Sequence, residues 1–259
     1  MRDIDGTAVH ISCSDAIGRL TIINENRRNA LDQAAWRAIP KAVEALVTDG
    51  ARVLIVSGKG AHFCAGADIS EFDTVRANAK AARIYEDDNV AAFDAIYRAS
   101  VPTIAEIRGT CFGGGLGLAA ACDLRIASKE ATFAVPAAKL GLAYPADSMA
   151  MLADAIGAQL VRKMLFAATI ENTETMRTSG FLLSVSEKFA LSDEVSALAS
   201  RIAQGAPMSH AANKLSLLST SSDDIAAARS AGDRTFESLD YIEGRAAFAE
   251  RRKPQFKGS

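Results

Sequence analysis

The chain of 259 residues predicts an α/β fold, and three observations carry the prediction. Strand and helix signals alternate through the first half. Two small-residue segments, 62–70 and 109–123, each follow a β-like run and lead toward a helix start. Beyond about Asp147 strand signals almost vanish and helical patterns take over. Such a rhythm argues for a sheet layered with helices, followed by a helical region.

In chain order, Ala8–Ser12 and Arg19–Ile23 read as strands about a turn at Gly18, and Val53–Ser57 as a buried strand. Between them, Asp32 to Val47 carries apolar residues at helical spacing, with Asp32 placed as an N-cap. Pro40 is expected to kink or restart that helix, because its ring lacks an N–H and crowds the preceding turn. A second helix is expected from about Thr74 to Arg98. A strand at 103–107, a glycine-rich helix and a strand Asp123–Ser128 come next. Helices are then expected near 148–156, 159–167, 187–204, 209–218, 223–239 and 241–252. The last two bring Phe236, Leu239, Tyr241, Ile242 and Phe248, apolar side chains that need burial on the chain's own core or on another subunit. No repeat or flexible linker separates a core at 1–195 from the helical region at 196–259, so the two are expected to pack as one unit.

Hydrophobic residues make up 49% and charged residues 23% of the chain, the balance of a soluble globular protein. A formal charge of −2 gives no basis for a nucleic-acid partner. No stretch reaches the length of an apolar membrane span, and Met1-Arg-Asp-Ile-Asp-Gly6 lacks a signal core, so no membrane partner and a cytoplasmic location are expected. Cys13, Cys64, Cys111 and Cys122 form no C-x-x-C pair, and His10, His62 and His210 lie far apart, so neither a metal site nor a disulfide framework is expected.

The chemistry points to residues 109–123, Gly-Thr-Cys-Phe-Gly-Gly-Gly-Leu-Gly-Leu-Ala-Ala-Ala-Cys-Asp. A β-like run enters three glycines and a helix begins at once, which aims free backbone N–H groups at an anion or a polarised carbonyl. His62-Phe-Cys-Ala-Gly-Ala-Asp-Ile-Ser70 repeats that logic after Val53–Ser57, with Asp68 able to cap the next helix. Two such turns on neighbouring strands can offer one N–H each to a shared oxygen, forming an oxyanion hole. Loss of one such donor costs about 3–4 kcal/mol of transition-state stabilisation.

The segments F-C-A-G-A-D-I, P-T-I-A-E-I-R-G-x-x-x-G-G-G, A-C-D-L-R-I-A and A-x-F-x-x-P-x-x-K-L-G-L resemble the crotonase, or enoyl-CoA hydratase/isomerase, family. The resemblance runs from Arg27-Arg-Asn-Ala-Leu31 to Ala247–Lys257. It implies a spiral of ββα turns with a C-terminal helical region used in trimers, often paired into hexamers. It also implies acyl-CoA thioesters as ligands, with coenzyme A as part of the substrate and no separate cofactor. By position, the backbone donors would be Ala67 and Gly114. Asp68, Ile69 and Ser70 would line the path of the pantetheine and nucleotide. Arg28 would reach the CoA phosphates, and Arg251 would reach those of a neighbouring subunit.

Two departures limit what the resemblance implies. The family's hydratases use two glutamates, and the corresponding positions here are Gly117 and Ala137. A positioned acid or base contributes about 10²–10⁴-fold, so efficient standard hydration is not expected. Asp147 is the leading substitute, with an N-cap role at Ser148 as its structural alternative. Tyr144 is either a hydrogen-bond donor or a pocket wall. Glu106 shares a strand face with Arg108 and reads as an ion pair, His62 reads as structural, and Cys64 and Cys111 read as packing residues before nucleophiles. Two further readings remain at this point: a non-catalytic acyl-CoA-binding member, and a dinucleotide site built on Gly115-Leu-Gly-Leu-Ala-Ala120.

Overall fold

The computed structural model describes residues 1–259. The chain opens with β1 (Arg2–Asp3), β2 (Val9–Ser14) and β3 (Ile17–Ile22), then α1 (Gln33–Thr48) and β4 (Val53–Gly58). Next come α2 (Phe72–Val75), α3 (Ala79–Tyr97), β5 (Thr103–Ile107), β6 (Thr110–Phe112) and α4 (Gly114–Ala121). β7 (Leu124–Ser128), β8 (Thr132–Ala134), α5 (Met149–Ile156), α6 (Ala158–Ala167), β9 (Ile170–Asn172), α7 (Thr173–Thr178) and β10 (Ser184–Ser186) complete the sheets. Four helices end the chain: α8 (Leu191–Ala203), α9 (Pro207–Leu218), α10 (Ser222–Phe236) and α11 (Leu239–Glu250).

The large sheet runs β1-β2-β3-β4-β5-β7-β10, parallel from β3 onward, and a smaller sheet runs β6-β8-β9. Strands enter the large sheet in chain order, so the path never reverses and offers no switch point of the kind that binds dinucleotides. Instead β5 is succeeded by β6, and β7 by β8, each pair placing one strand in each sheet. This is the expected spiral of ββα turns. β4 is buried along its whole length because helices cover both faces of the parallel region. One core, with Trp36, Phe63, Tyr85 and Phe133, fills the space enclosed by the sheets and α1, α3 and α4. A second lies outside the large sheet, where Leu191, Val195, Ala199 and Ala203 of α8 meet Val53, Ile55, Ile104 and Ile126. A boundary near residue 195 would divide α8, which packs on the sheet as far as Ala203.

Several local expectations change. The first hairpin turns at Asp15-Ala16, both with positive φ, and not at Gly18. Gly18 instead pairs with Cys13 inside the hairpin, where a Cβ would lie 2.7 Å from Leu54 and 2.9 Å from Ala51. α1 runs through Pro40 unbroken, held by its buried face of Trp36, Ile39, Val43 and Leu46, and Asp32 caps it as expected (Ala35 N–H to Oδ1, 2.8 Å). The helix expected from Thr74 breaks at Arg76–Asn78, where the Asn78 side chain accepts Ala81 N–H and starts α3 afresh. The short strands β1, β6, β8, β9 and β10 were not foreseen. Two or three residues are too few to show an alternation.

Lys214 of α9 ties the terminal helices to the core. Its Nζ lies 2.8 Å from Asp123, which in turn accepts Thr103 N–H at 2.7 Å. No helix is long and apolar enough to cross a membrane.

Candidate active site

The two small-residue turns are brought together by backbone pairing. After β4 the chain lays Cys64 beside Cys111. Cys64 N–H donates to Thr110 O (3.0 Å), and Phe112 N–H donates to Cys64 O (3.0 Å). Three residues on, Ala67 pairs with Leu31: Leu31 N–H reaches Gly66 O and Asp68 N–H reaches Leu31 O, both at 2.8 Å. In a parallel bridge the residue flanked by these bonds points its own N–H the other way. Ala67 N–H accordingly has no acceptor in the chain.

Gly114 opens α4, so its N–H has no intrahelical partner either. Gly66 (φ +95°) and Gly113 (φ +52°) allow the two turns to touch. A Cβ on Gly66 would sit 2.9 Å from Phe112 O and 3.0 Å from the Gly114 nitrogen itself. Beneath Gly114 lies Trp36, whose Nε1–H donates to Tyr85 Oη at 3.1 Å.

Ala67 and Gly114 line the same cleft, about 640 Å³ of space open to solvent. Its walls include Phe72, Phe93, Ala137, Leu142 and Tyr144, and Arg76 is its one charged side chain. No carboxylate lines it. Ala137 stands in the wall as a methyl group. Gly117 lies behind it: a Cβ there would collide with Tyr144 Oη and sit 2.6 Å from Phe93 Cζ. Tyr144 is buried and its O–H points to Gly113 O at 3.5 Å. Burial, with Cys111 nearby, raises its phenol well above the usual range, so at neutral pH it is a donor and not a base.

Asp147 is exposed in a short 3-10 turn, lines no part of the cleft, and makes no hydrogen bond; Ser148 precedes α5 without a side-chain cap. Asp68 caps the turn Ile69–Glu71 through Ser70 N–H (3.0 Å) and pairs with Arg27 at 2.6 Å. Burial pushes its carboxyl up, but hydrogen bonds from Ser70 and Arg27 outweigh that and hold it below its ordinary range. Ile69 lines the cleft mouth, exposed like Ser70. Arg28 is exposed in the left-handed region, and its carbonyl accepts Ala65 N–H (3.0 Å). Arg251 caps α11, exposed and outside the cleft lining.

The remaining candidates have structural work. Glu106 is buried and pairs with Arg108 at 2.6 Å. His62 Nδ1 accepts Thr110 N–H at 3.2 Å. Burial pushes the Cys64 thiol up to about 12 and raises Cys111 as well, so neither is a thiolate at neutral pH. Sequence reasoning missed Asn29. Fully buried, it donates to Lys59 O (2.9 Å) and His62 O (2.7 Å), fixing the loop that enters the first turn. It also gave no task to Arg76 or Asn89 of the cleft.

Residues 12–259 match the family model described as Enoyl-CoA hydratase/isomerase. Among solved structures, an enoyl-CoA hydratase/carnithine racemase from Magnetospirillum magneticum superposes with a TM-score of 0.91 at 32% identity, covering 97% of this chain and 96% of its own. An enoyl-CoA hydratase/isomerase family protein from Hyphomonas neptunium gives 0.92 at 32% identity, covering 99% and 100%. The human mitochondrial Delta(3,5)-Delta(2,4)-dienoyl-CoA isomerase is 30% identical over 229 residues, 84% of this chain and 67% of that protein.

Proposed function

The chain belongs to the enoyl-CoA hydratase/isomerase family, and from that premise we propose that it binds an acyl-CoA thioester and holds the thioester oxygen between Ala67 N–H and Gly114 N–H. The supporting observation is that two main-chain donors without acceptors, on turns in van der Waals contact, line one cleft. Donors so placed stabilise negative charge that develops on the thioester oxygen. Asp68, Ile69 and Ser70, with Arg28 and a neighbouring subunit's Arg251, serve the CoA portion. The exposed apolar residues of α11 support a homotrimer or a hexamer of two trimers.

Hydration by paired carboxylates has no support in this cleft, where Gly117 and Ala137 stand and no acidic side chain enters. Tyr144 O–H is the one weak acid in the lining, so we assign it to thioester hydrolysis: water adds its hydroxyl to the carbonyl carbon, the C–S bond breaks, the departing thiolate takes the phenol proton, and the water's other proton restores the phenol. The same lack of carboxylates favours a second reading, a non-catalytic acyl-CoA-binding protein.

A crystal structure with a non-hydrolysable acyl-CoA, together with a turnover panel of enoyl- and acyl-CoAs, tests both. Support is a carbonyl oxygen about 2.7–3.1 Å from both nitrogens. A carbonyl bound elsewhere overturns the proposal. Binding without turnover of any substrate selects the second reading.

A further inference from the structure

We propose that the cleft selects acyl groups that end in a carboxylate, with Arg76 and Asn89 as the groups that hold it. The proposal rests on the acyl-CoA reading and narrows it to thioesters of dicarboxylic acids.

Arg76 comes directly after α2 and lines the cleft. Its guanidinium lies 4.5 Å from the centre of the Phe72 ring and 4.7 Å from that of Tyr85. These two ring contacts hold the cation in place. Yet it forms no ion pair with any carboxylate, and its buried Nε donates to no atom of the chain. Glu71, five residues earlier, makes no ion pair with it, and its own Oε1 is also buried without a partner.

Asn89, on α3, is 5% exposed and lines the same cleft. Its buried Nδ2 likewise has no acceptor. Folded proteins rarely leave such donors unpaired, because each forfeits its hydration without replacement. Here the two residues that carry them, one cationic, line the same cleft as Ala67 and Gly114. A neutral acyl chain would leave both unsatisfied, whereas a terminal carboxylate supplies acceptors to both and a counter-charge to Arg76. The absence of carboxylates at positions 117 and 137 removes the repulsion an anionic acyl chain would otherwise meet.

The test is isothermal titration of the intact protein with malonyl-, succinyl- and glutaryl-CoA. Each is compared with the neutral analogue in which an isopropyl group replaces the carboxylate: isovaleryl-, 4-methylpentanoyl- and 5-methylhexanoyl-CoA. For at least one pair the acid binds about ten- to a hundredfold more tightly, and the ratio falls to about one in Arg76→Met. Asn89→Leu lowers it part-way and serves if Arg76→Met does not fold. Equal affinities within all three pairs, or a ratio untouched by Arg76→Met, overturn the proposal. Failure of all six thioesters to bind overturns instead the acyl-CoA reading beneath it.

Discussion

The phenol oxygen of Tyr144 occupies the space in which a side chain on Gly117 would begin, with Phe93 closing the other side at 2.6 Å from that Cβ. The missing carboxylate at position 117 is thus not an empty slot awaiting a glutamate; another side chain has filled it. Gly117→Ala should lower stability by about 1–3 kcal/mol, the usual cost of overpacking a filled core. Urea unfolding reads this as a reduced midpoint with an unchanged slope. Combined with Tyr144→Ala, the same change should cost less than it does alone, since the oxygen it meets is gone. Strict additivity of the two would show that the residues do not compete for this space.

Tyr144 and Asp147 make opposite predictions for turnover. Tyr144 lines the cleft and carries a proton at neutral pH, whereas Asp147 is exposed and outside it. With any CoA thioester the protein converts, Tyr144→Phe should reduce kcat by about 10²-fold, the low end for a positioned acid, and Asp147→Ala should leave it intact. The reverse pattern would return Asp147 to the site and require the 145–148 loop to move inward.

The spiral and the position of its two glycine turns could be read from ordered motifs, because backbone donors need small residues at fixed places after strands. The cleft's character could not. Arg76 sits at the break between α2 and α3 and Asn89 on α3, in a stretch, Phe72 to Tyr97, whose sequence shows only amphipathic spacing; their lack of partners is a property of three-dimensional neighbours. Tyr144 was visible as an aromatic near the site, but that its oxygen excludes a side chain at 117 depends on how residues 141–148 fold across α4. Pro40 differs from its expected effect for a related reason: its local cost is outweighed by a helix face buried from Ala35 to Leu46.

Glu71 should make stability depend on pH. Burial pushes its carboxyl up, Asp32 and Asp68 add to the rise, and Tyr85 and the Gln33 N–H act against it. The folded chain therefore holds this proton more tightly than the unfolded one. The stabilisation is complete below the ordinary carboxylate range and is lost as pH rises through the raised folded value. Glu71→Gln, which keeps the neutral shape at every pH, should raise Tm at pH 8 and change it little at pH 4. An equal shift at both pH values would mean that ionisation at this site is not what costs stability.

The exposed apolar residues of the last helix predict assembly. Leu239, Ile242 and Phe248 are 61%, 60% and 88% exposed in the single chain, and the neighbouring α10 adds Phe236 at 65%. Monomers rarely leave so much large apolar surface in one region unless something covers it. That exposure shows that the chain's own core does not cover these side chains, and the proposed trimer would cover them with a second copy. Light scattering should therefore give three or six chains per particle. Ile242→Asp with Phe248→Asp places two charges where the contact would lie, and should yield a folded monomer by far-ultraviolet dichroism and scattering. An unsubstituted protein that stays monomeric at tens of micromolar would remove the trimer, and with it any part for a neighbour's Arg251 in holding CoA.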